Sequence, residues 1–223
     1  MVCSVFWAWL LAMGQGCFVA WLGTRWSRRL IEDAVVVYGG LGQSPQMRWA
    51  NQWFVLWFVG NVMGLIAVFP GSFLLLAVWI SWLALLGLLG FIDAKTGLLP
   101  NELTLLMMLA GLASNAMASE SGLPAPSYTW GMVLGWLLSW SLNRIHELWR
   151  GKLAIGEGDA KLLGAIGAWL GLQALPLVWV IACLATLVYT ALVYIAGHGR
   201  PRYVTFGPFL AVGASLVMLL NHV

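Results

Sequence analysis

Two aspartates stand at the edges of long apolar runs, where a charged side chain is unusual. Asp93 ends one run in the stretch GFIDAKTGLLPNELT, and Asp159 opens another in GEGDAKLLGAIG. An acid at the middle of a membrane-spanning helix costs about 3 kcal/mol on insertion scales, and less near the interface, so each aspartate is a candidate functional residue. We expect both to lie at the same rim of a helix bundle.

Two neighbouring carboxylates suit the hydrolysis of a peptide bond by water. One takes a proton from water while the other, still protonated, donates to the carbonyl oxygen, because two close carboxylates do not both ionise easily. The sequence predicts Asp159 at a helix N-terminus, which favours its anion, and Asp93 at a helix C-terminus, which favours its protonated form. Gly156 and Gly158 leave space beside Asp159 for a substrate backbone or for the other aspartate.

The elements that must position these residues are predicted to be membrane-spanning helices. Hydrophobic residues make up 61% of the 223 residues and charged residues only 9%, which is far more apolar than a soluble domain. Since a span needs roughly 20 apolar residues, about eight spans fit in this length. We predict an all-α, polytopic membrane helix bundle of about eight transmembrane helices, forming a single domain over residues 1–223.

Eight apolar runs account for that number. They cover residues 4–22, 53–69, 72–92, 103–118, 129–146, 160–174, 177–197 and 206–221. Prolines and glycines interrupt the chain between many of them, as at Pro70-Gly71 and Leu175-Pro176. No basic residue precedes the first run, unlike in a cleavable signal peptide, so we expect it to stay in the membrane.

The distribution of charge predicts the orientation of the bundle. All eleven lysines and arginines fall on odd-numbered connections between the runs, and cytoplasmic loops carry the excess of positive charge. Both aspartates then lie at the cytoplasmic face, and both chain ends lie outside the cytoplasm. The net charge of +3 reflects this topology, and we expect no nucleic-acid partner.

Three blocks of sequence carry a family resemblance. The first is Asp93 with Leu99-Pro100 and Thr104, the second is Gly156-x-Gly158-Asp159-x-Lys161-Leu162-Leu163, and the third is Phe206-Gly207-Pro208-Phe209-Leu210-Ala211. In type and order they resemble the signature blocks of the type IV prepilin peptidases, which are intramembrane aspartic proteases with a GxGD motif. The resemblance covers most of the chain from about residue 72, and more weakly residues 16–25.

The resemblance implies an enzyme of the bacterial cytoplasmic membrane. Such an enzyme removes the short basic leader from prepilins or pseudopilins, cutting after a glycine at the cytoplasmic face. Asp93 and Asp159 are then the catalytic pair. We further infer that Lys161 stabilises the Asp159 anion or orients a substrate carbonyl.

Other residues are predicted to shape the site or to attract the substrate. Gly207 and Pro208 could shape the rim beside the two aspartates, and Pro100 belongs to the first of the three blocks. Three acids could attract the basic leader by charge complementarity, namely Glu102, Glu147 and Glu157. The lipid bilayer is the other partner, and the sequence leaves open whether the chain forms homo-oligomers.

Cysteine usage departs from the family pattern. Full-length members resemble this chain plus a cytoplasmic insert with two CxxC pairs, whose spacing would suit zinc, but the first loop here, about residues 23–52, has no cysteine. Ala20 also stands where the family usually has Asn. We therefore expect no metal and no cofactor for proteolysis. The sequence does not favour methylation of the new N-terminus with S-adenosylmethionine, although short members could still methylate.

Two other function classes remain open at this point. A proton-coupled transporter also uses acids within the membrane, although such sites lie near the midplane between repeats. A noncatalytic assembly subunit of a pilus or secretion machine would be barely affected by Asn at either aspartate. Helix capping is the structural alternative for Asp159, whereas Asp93 at a helix C-terminus gains nothing from capping. The sequence also leaves open which prepilin is cut, whether it serves a pilus, competence or secretion system, and whether the two aspartates meet before substrate binds.

Pairs of glycines four residues apart are predicted to permit close helix packing. They are Gly60 and Gly64, Gly131 and Gly135, and Gly167 and Gly171.

Overall fold

Every regular element in the described part of the chain is helical. The structure is a computed structural model that describes residues 56–66, 73–119, 121–150, 156–196 and 204–222. Its helices are α1 (Leu56–Ile66), α2 (Phe73–Thr96), α3 (Asn101–Ala118), α4 (Pro126–Arg150), α5 (Glu157–Leu170), a 3-10 turn (Leu172–Ala174), α6 (Leu175–Ile195) and α7 (Gly207–His222). The all-α prediction is confirmed, and each helix coincides with a predicted apolar run. The run 4–22 and the loop 23–52 lie outside the described residues.

The predicted number of spans is not established by these helices. Among the described residues, two stretches are long and apolar enough to cross a membrane, Leu76–Thr96 and Leu172–Ile195. Helix α1 is shorter, as is α5, whose 14 residues reach only about 21 Å at 1.5 Å per residue, against about 30 Å for the hydrocarbon core. The predicted run 160–174 is divided because Gly171 ends α5 with a φ of 80° and Leu172–Ala174 forms a tighter turn.

Prolines define several helix starts, as the sequence predicted. Pro100 is the N-cap of α3, with an extended backbone (φ −62°, ψ 126°), and α4 begins at Pro126. Pro176 occupies the first turn of α6, where a missing N–H removes no intrahelical hydrogen bond. Pro100 thus fixes the start of α3. The candidate site begins there and at Gly156, the N-cap of α5.

The chain divides into two compact units, which are described separately. Of the described residues, the first unit contains α1, α2 and the last residues of α7, and the second contains residues 99–218. In the first unit, Leu83, Leu86 and Leu89 of α2 are fully buried. The prediction of a single domain over residues 1–223 stays a prediction.

Helices α4 and α5 in the second unit pack with their backbones in contact. A Cβ atom added at Gly131 would lie 2.6 Å from the carbonyl oxygen of Gly167, and one at Gly135 would lie 3.0 Å from the carbonyl oxygen of Leu163. Real Cβ atoms essentially never approach a backbone atom as closely as at Gly131. The predicted close packing is therefore confirmed for these glycines, whereas an added Cβ at Gly60 would meet nothing within 4 Å.

Helix α3 packs on the other side of α5 through two polar contacts and an indole ring. Trp169 Nε1 donates a hydrogen bond to the backbone oxygen of Met107 (2.8 Å), and the same ring fills the space above Gly111. Asn115 Nδ2 donates to the backbone oxygen of Ala168 (3.1 Å). Helix α5, which carries Asp159, is thus held between α3 and α4, and residues 162–169 are all buried.

Candidate functional site

Asp159 is the third residue of α5 and is held by the backbone just before the helix. Gly156 is the N-cap, with an extended backbone (φ −60°, ψ 140°), and it supplies no side-chain cap. Its carbonyl oxygen accepts a hydrogen bond from the backbone N–H of Asp159 (3.1 Å), and its own N–H donates to the Asp159 carboxylate. This is the geometry by which an acid at the third helical position caps a helix.

The missing side chain of Gly156 leaves room for the Asp159 carboxylate. A Cβ atom at position 156 would lie 3.1 Å from Oδ2 of Asp159, which is closer than nine in ten real Cβ contacts. Helix capping, which the sequence left open, is therefore one role of Asp159. Asp159 caps the helix from its third position, and Gly156 is the N-cap residue. Capping accounts for the hydrogen bond from Gly156 and leaves the other carboxylate oxygen to be explained.

That other oxygen, Oδ1 of Asp159, is buried, and no hydrogen-bond partner reaches it from the described residues. Buried polar atoms nearly always have a partner in protein or water. An oxygen in this situation is free to bind a water molecule or a substrate group.

Burial also changes the acidity of Asp159, which precedes the predicted span 160–174. Desolvation raises the pKa of its carboxyl from 3.8 to about 6, against a smaller lowering by the Gly156 hydrogen bond. The sequence argument compared the two aspartates and predicted that Asp159 would be favoured as the anion over Asp93, and that comparison stays a prediction. It considered only the helix ends and left out the loss of hydration around a buried carboxylate, which raises the pKa of Asp159.

The first signature block meets the second at the N-terminal end of α5. A Cβ atom at Gly158 would lie 2.8 Å from Cβ of Leu99 and 3.0 Å from its Cδ1, so Leu99 occupies the space that the glycine leaves. The sequence had assigned that space to a substrate backbone or to the second aspartate. In the structure it holds the segment that starts α3.

Lys161 takes part in the same junction. Its Nζ atom donates a hydrogen bond to Oδ1 of Asn101, 2.7 Å away, and Asn101 is the first residue of α3. The predicted role for Lys161, to stabilise the Asp159 anion or to orient a substrate carbonyl, stays a prediction. Sequence reasoning missed Asn101, and the available signal was its place directly after Leu99-Pro100.

Pro100 and Thr104 fix the beginning of α3. Pro100 is buried, and its carbonyl oxygen accepts hydrogen bonds from the backbone N–H of Thr104 (3.1 Å) and from its Oγ1 (3.2 Å). Thr104 Oγ1 also donates to the backbone oxygen of Asn101 (2.9 Å), and Thr104 is 2% exposed. The predicted site-shaping role of Pro100 remains a prediction, and its observed contacts are within α3.

Asp93 lies in the last turn of α2, in the first unit. It is 5% exposed, and its backbone oxygen accepts a hydrogen bond from the N–H of Gly97 (2.7 Å). Gly97 has a φ of 66°, a conformation that glycine adopts at low cost and that often ends a helix. Thr96 completes this end, because its Oγ1 donates to the backbone oxygen of Ile92 (2.8 Å).

The third block begins α7. The backbone oxygen of Phe206 accepts hydrogen bonds from the N–H groups of Phe209 (3.0 Å) and Leu210 (3.1 Å). Gly207 is buried and Pro208 is partly exposed in the first turn of the helix. Proline there is compatible with helix initiation. A role for Gly207 and Pro208 at the rim of the active site stays a prediction.

The three acids that were predicted to attract a basic leader differ in their surroundings. Glu102 and Glu157 are exposed in the first turns of α3 and α5, and the Asn101–Lys161 contact joins these two helix ends. Glu147 of α4 instead pairs with Arg144 at 2.7 Å. Glu102 and Glu157 are thus the better candidates for a contact with positive charge.

The described residues contain no group of three His, Cys, Asp or Glu side chains that could hold a metal ion. Cys183 is a free cysteine on α6. Cys3, Cys17, Ala20 and the first loop, on which the predictions about zinc and methylation depend, lie outside the part of the chain that the structure describes.

Comparison with known proteins identifies the family. The model of the type IV leader peptidase family matches residues 77–191, a range that includes both aspartates. Curated relatives named prepilin leader peptidase/N-methyltransferase are similar to this chain. The Aeromonas salmonicida protein is 36% identical over 151 residues, which is 67% of this chain and 50% of the relative.

Two further relatives with the same name give the same result. The Burkholderia pseudomallei protein is 39% identical over 161 residues, covering 71% of this chain and 50% of its own length. The Dickeya chrysanthemi protein is 38% identical over 171 residues, covering 70% and 59%. The chain therefore spans about half the length of the curated relatives it matches. No solved structure gives a significant match. The chain belongs to the type IV leader peptidase family.

Proposed function

We propose that this chain is an aspartic endopeptidase that removes the basic leader from a prepilin or pseudopilin. The observation that carries the proposal is the carboxylate of Asp159, which is anchored by the N–H of Gly156 while its buried Oδ1 has no hydrogen-bond partner among the described residues. Family membership supports the reaction class. Asp93, which is buried in the last turn of α2, is the proposed partner.

The two aspartates would divide the chemistry. Ionised Asp159 takes a proton from a water molecule, whose oxygen attacks the carbonyl carbon of the scissile peptide bond, while protonated Asp93 donates its proton to the carbonyl oxygen. The tetrahedral intermediate then collapses as the C–N bond breaks. The amine leaves with the proton that Asp159 had taken, and the new carboxyl group returns a proton to Asp93.

The raised pKa of Asp159 suits the role of general base. A base is most effective when its pKa lies near the working pH, and burial raises the pKa of Asp159 to about 6. Most molecules then carry the anion at neutral pH, and the anion is a stronger base than an ordinary aspartate. We therefore propose Asp159 as the base and Asp93 as the acid, as the sequence suggested, because desolvation brings the pKa of Asp159 close to neutral pH.

The proposed substrate site lies where the first turns of α3 and α5 meet. Exposed Glu102 and Glu157 would attract the positive charges of a leader, and a substrate helix would stand with its leader at this end. We place the site at the cytoplasmic face of the bacterial inner membrane, in a multi-pass bundle. The positive-inside distribution of lysine and arginine supports that orientation.

Cleavage is tested by the intact mass of a prepilin that is co-expressed with this protein. We expect loss of the leader with the natural chain and no loss with Asp93→Asn or Asp159→Asn. The cleavage rate should decrease at least about a thousandfold in each variant, because an amide replaces neither the base nor the acid. Glu120→Gln, an acid-to-amide change between α3 and α4, is the matched control and should cleave normally. Normal cleavage by either aspartate variant would exclude the two-aspartate mechanism.

The pH dependence of cleavage separates the two proposed roles. If Asp159 is the base, kcat/KM should fall as the pH decreases through about 6, approaching a tenfold loss per pH unit, because protonated Asp159 accepts no proton. The observed pKa values belong to the interacting pair. A rate that rises on acidification through the same range would show that the ionised form of Asp159 is not required.

The same mass measurement addresses methylation. The curated relatives carry N-methyltransferase in their names, and our proposal for this chain is restricted to the peptidase. One added methyl group on the mature pilin would show the second activity with S-adenosylmethionine. An unmethylated product would agree with the expectation drawn from Ala20 and the first loop.

A further inference from the structure

Lys161 stands at an unfavourable place for a cation. It is the fifth residue of α5, near a helix N-terminus, where the helix dipole favours negative charge and disfavours positive charge. Its ammonium group also reaches the first residue of α3, a second helix N-terminus. A contact that offsets these fields stabilises the lysine, and the structure shows one.

That contact joins the starts of α3 and α5. Lys161 Nζ donates to Asn101 Oδ1 at 2.7 Å, a charge-assisted hydrogen bond. Asn101 is held in turn, because its backbone oxygen accepts a hydrogen bond from the buried Thr104 (2.9 Å). The lysine is therefore tied to a well-anchored point of α3.

A second contact lies three residues earlier on α5. Gly158 packs against Leu99, whose Cβ would be 2.8 Å from a Cβ at position 158. Residues three apart share a face of a helix, so Gly158 and Lys161 together hold one face of the first turn of α5 against residues 99–101. Asp159 lies between them in the sequence, about 100° further around the helix.

We propose that Lys161 and Asn101 are a pair of positioning residues that set the rotation of the first turn of α5, and with it the direction of Asp159 Oδ1. This inference rests on the proposed function and assigns Lys161 a role through Asn101, not through the charge of Asp159. Burial raises the pKa of Asp159, and the Gly156 hydrogen bond lowers it by less.

The test compares five variants with the natural chain in a prepilin cleavage assay with purified protein. Lys161→Met and Asn101→Ala should each lower kcat about tenfold with a smaller change in KM, since a displacement of about 1 Å at a catalytic group costs up to a hundredfold. The double variant should be no worse than either single one. Lys161→Arg and Asn101→Asp should retain most of the activity, because arginine still supplies the hydrogen-bond donor and aspartate still supplies the acceptor.

The pH profile distinguishes positioning from a direct charge effect. If the pair acts by positioning, Lys161→Met and Asn101→Ala should lower kcat/KM without changing the pH at which kcat/KM falls on acidification, which is the acidic limb of the profile. If Lys161 stabilised the Asp159 anion, Lys161→Met would move that limb to higher pH and Asn101→Ala would not. Such a difference between the two variants would overturn the inference.

Thermal unfolding in detergent measures the same pair without substrate. The sum of the Tm losses of Lys161→Met and Asn101→Ala should exceed the Tm loss of the double variant. Each single variant already removes the whole Lys161–Asn101 contact, so the double variant does not lose it a second time. Strictly additive losses would overturn the inference even if no prepilin is cleaved. Full activity of both single variants, beside an inactive Asp159→Asn, would overturn it while leaving the proposed peptidase intact.

Discussion

The two ends of α5 both depend on glycine, but different atoms occupy the space that glycine provides. In the later part of the helix, Gly167 approaches the backbone of Gly131, and Gly164 lies so close to α4 that an added Cβ would be 3.0 Å from the backbone oxygen of Met132. At the N-terminal end, Gly156 makes room for the Asp159 carboxylate and Gly158 for the Leu99 side chain.

This difference separates contacts that hold the helix from contacts that orient the carboxylate. Two packed backbones have no rotamer to change, so a bulky substituent between them displaces a whole helix. An atom added at Gly158 would instead lie 2.8 Å from Cβ of Leu99, so the first turn of α5 or the segment of Leu99 must shift locally. We therefore expect substitutions in the later part of α5 to lower stability and substitutions at its N-terminal end to lower activity.

The largest predicted effect follows Gly167→Ala. The new methyl group would overlap the carbonyl group of Gly131, and overpacking of this kind costs about 3 kcal/mol. Alanine regains only about 1 kcal/mol through its higher helix propensity. The net result is a less stable protein, measured as a lower Tm of the purified chain in detergent.

Gly60→Ala is the matched control for this prediction. It is the same change inside a helix, but the added Cβ meets nothing within 4 Å. Its Tm should stay the same or rise slightly. Equal losses from both variants would mean that the α4–α5 contact does not govern the effect, since helix propensity alone favours alanine in both.

Gly158→Ala should act mainly on catalysis. Its methyl group would lie 2.8 Å from Cβ and 3.0 Å from Cδ1 of Leu99, which would tilt the first turn of α5 and move Asp159. We expect kcat to fall about tenfold, by the same sensitivity of catalysis to position, with a smaller loss of Tm than for Gly167→Ala. Cleavage kinetics and unfolding of the same preparation measure both.

Adding Leu99→Ala provides the control for that interpretation. It removes Cγ and Cδ1, two of the three Leu99 atoms that the new methyl would touch. Part of the lost rate should return in the double variant. No recovery, or a Tm loss as large as that of Gly167→Ala, would contradict the distinction between the two ends of α5.

The positions of the helices were predictable because apolar runs and prolines carry the information locally. Pro100, Pro126 and Pro176 stand at helix starts, as a fixed φ and a missing N–H require. The short α5 was not predictable, since the apolar run continues through Leu172–Ala174 and only the backbone at Gly171 ends the helix there. The count of eight spans stays a prediction.

The candidate site was predictable in its residue types and less so in its contacts. The placement of Asp159 in the first turn of α5 followed from the glycines and the apolar run after it. Its acidity did not follow, because desolvation depends on the residues around it in three dimensions. The Lys161–Asn101 hydrogen bond joins residues far apart in the sequence, and no local pattern in one chain shows such a pair.

The smallest predicted effect concerns a hydrogen bond in the later part of α5. Asn115 donates both to Gly111 of its own helix (2.9 Å) and to Ala168 of α5 (3.1 Å), and interhelical hydrogen bonds in membrane proteins average about 0.6 kcal/mol. Ser114→Ala is the matched control, because Ser114 donates only within α3 (2.9 Å). Asn115→Ala should therefore lower Tm slightly more than Ser114→Ala and leave cleavage unchanged. If Asn115→Ala instead slows cleavage while Tm holds, the later part of α5 also orients the carboxylate, and the division between its two ends is wrong.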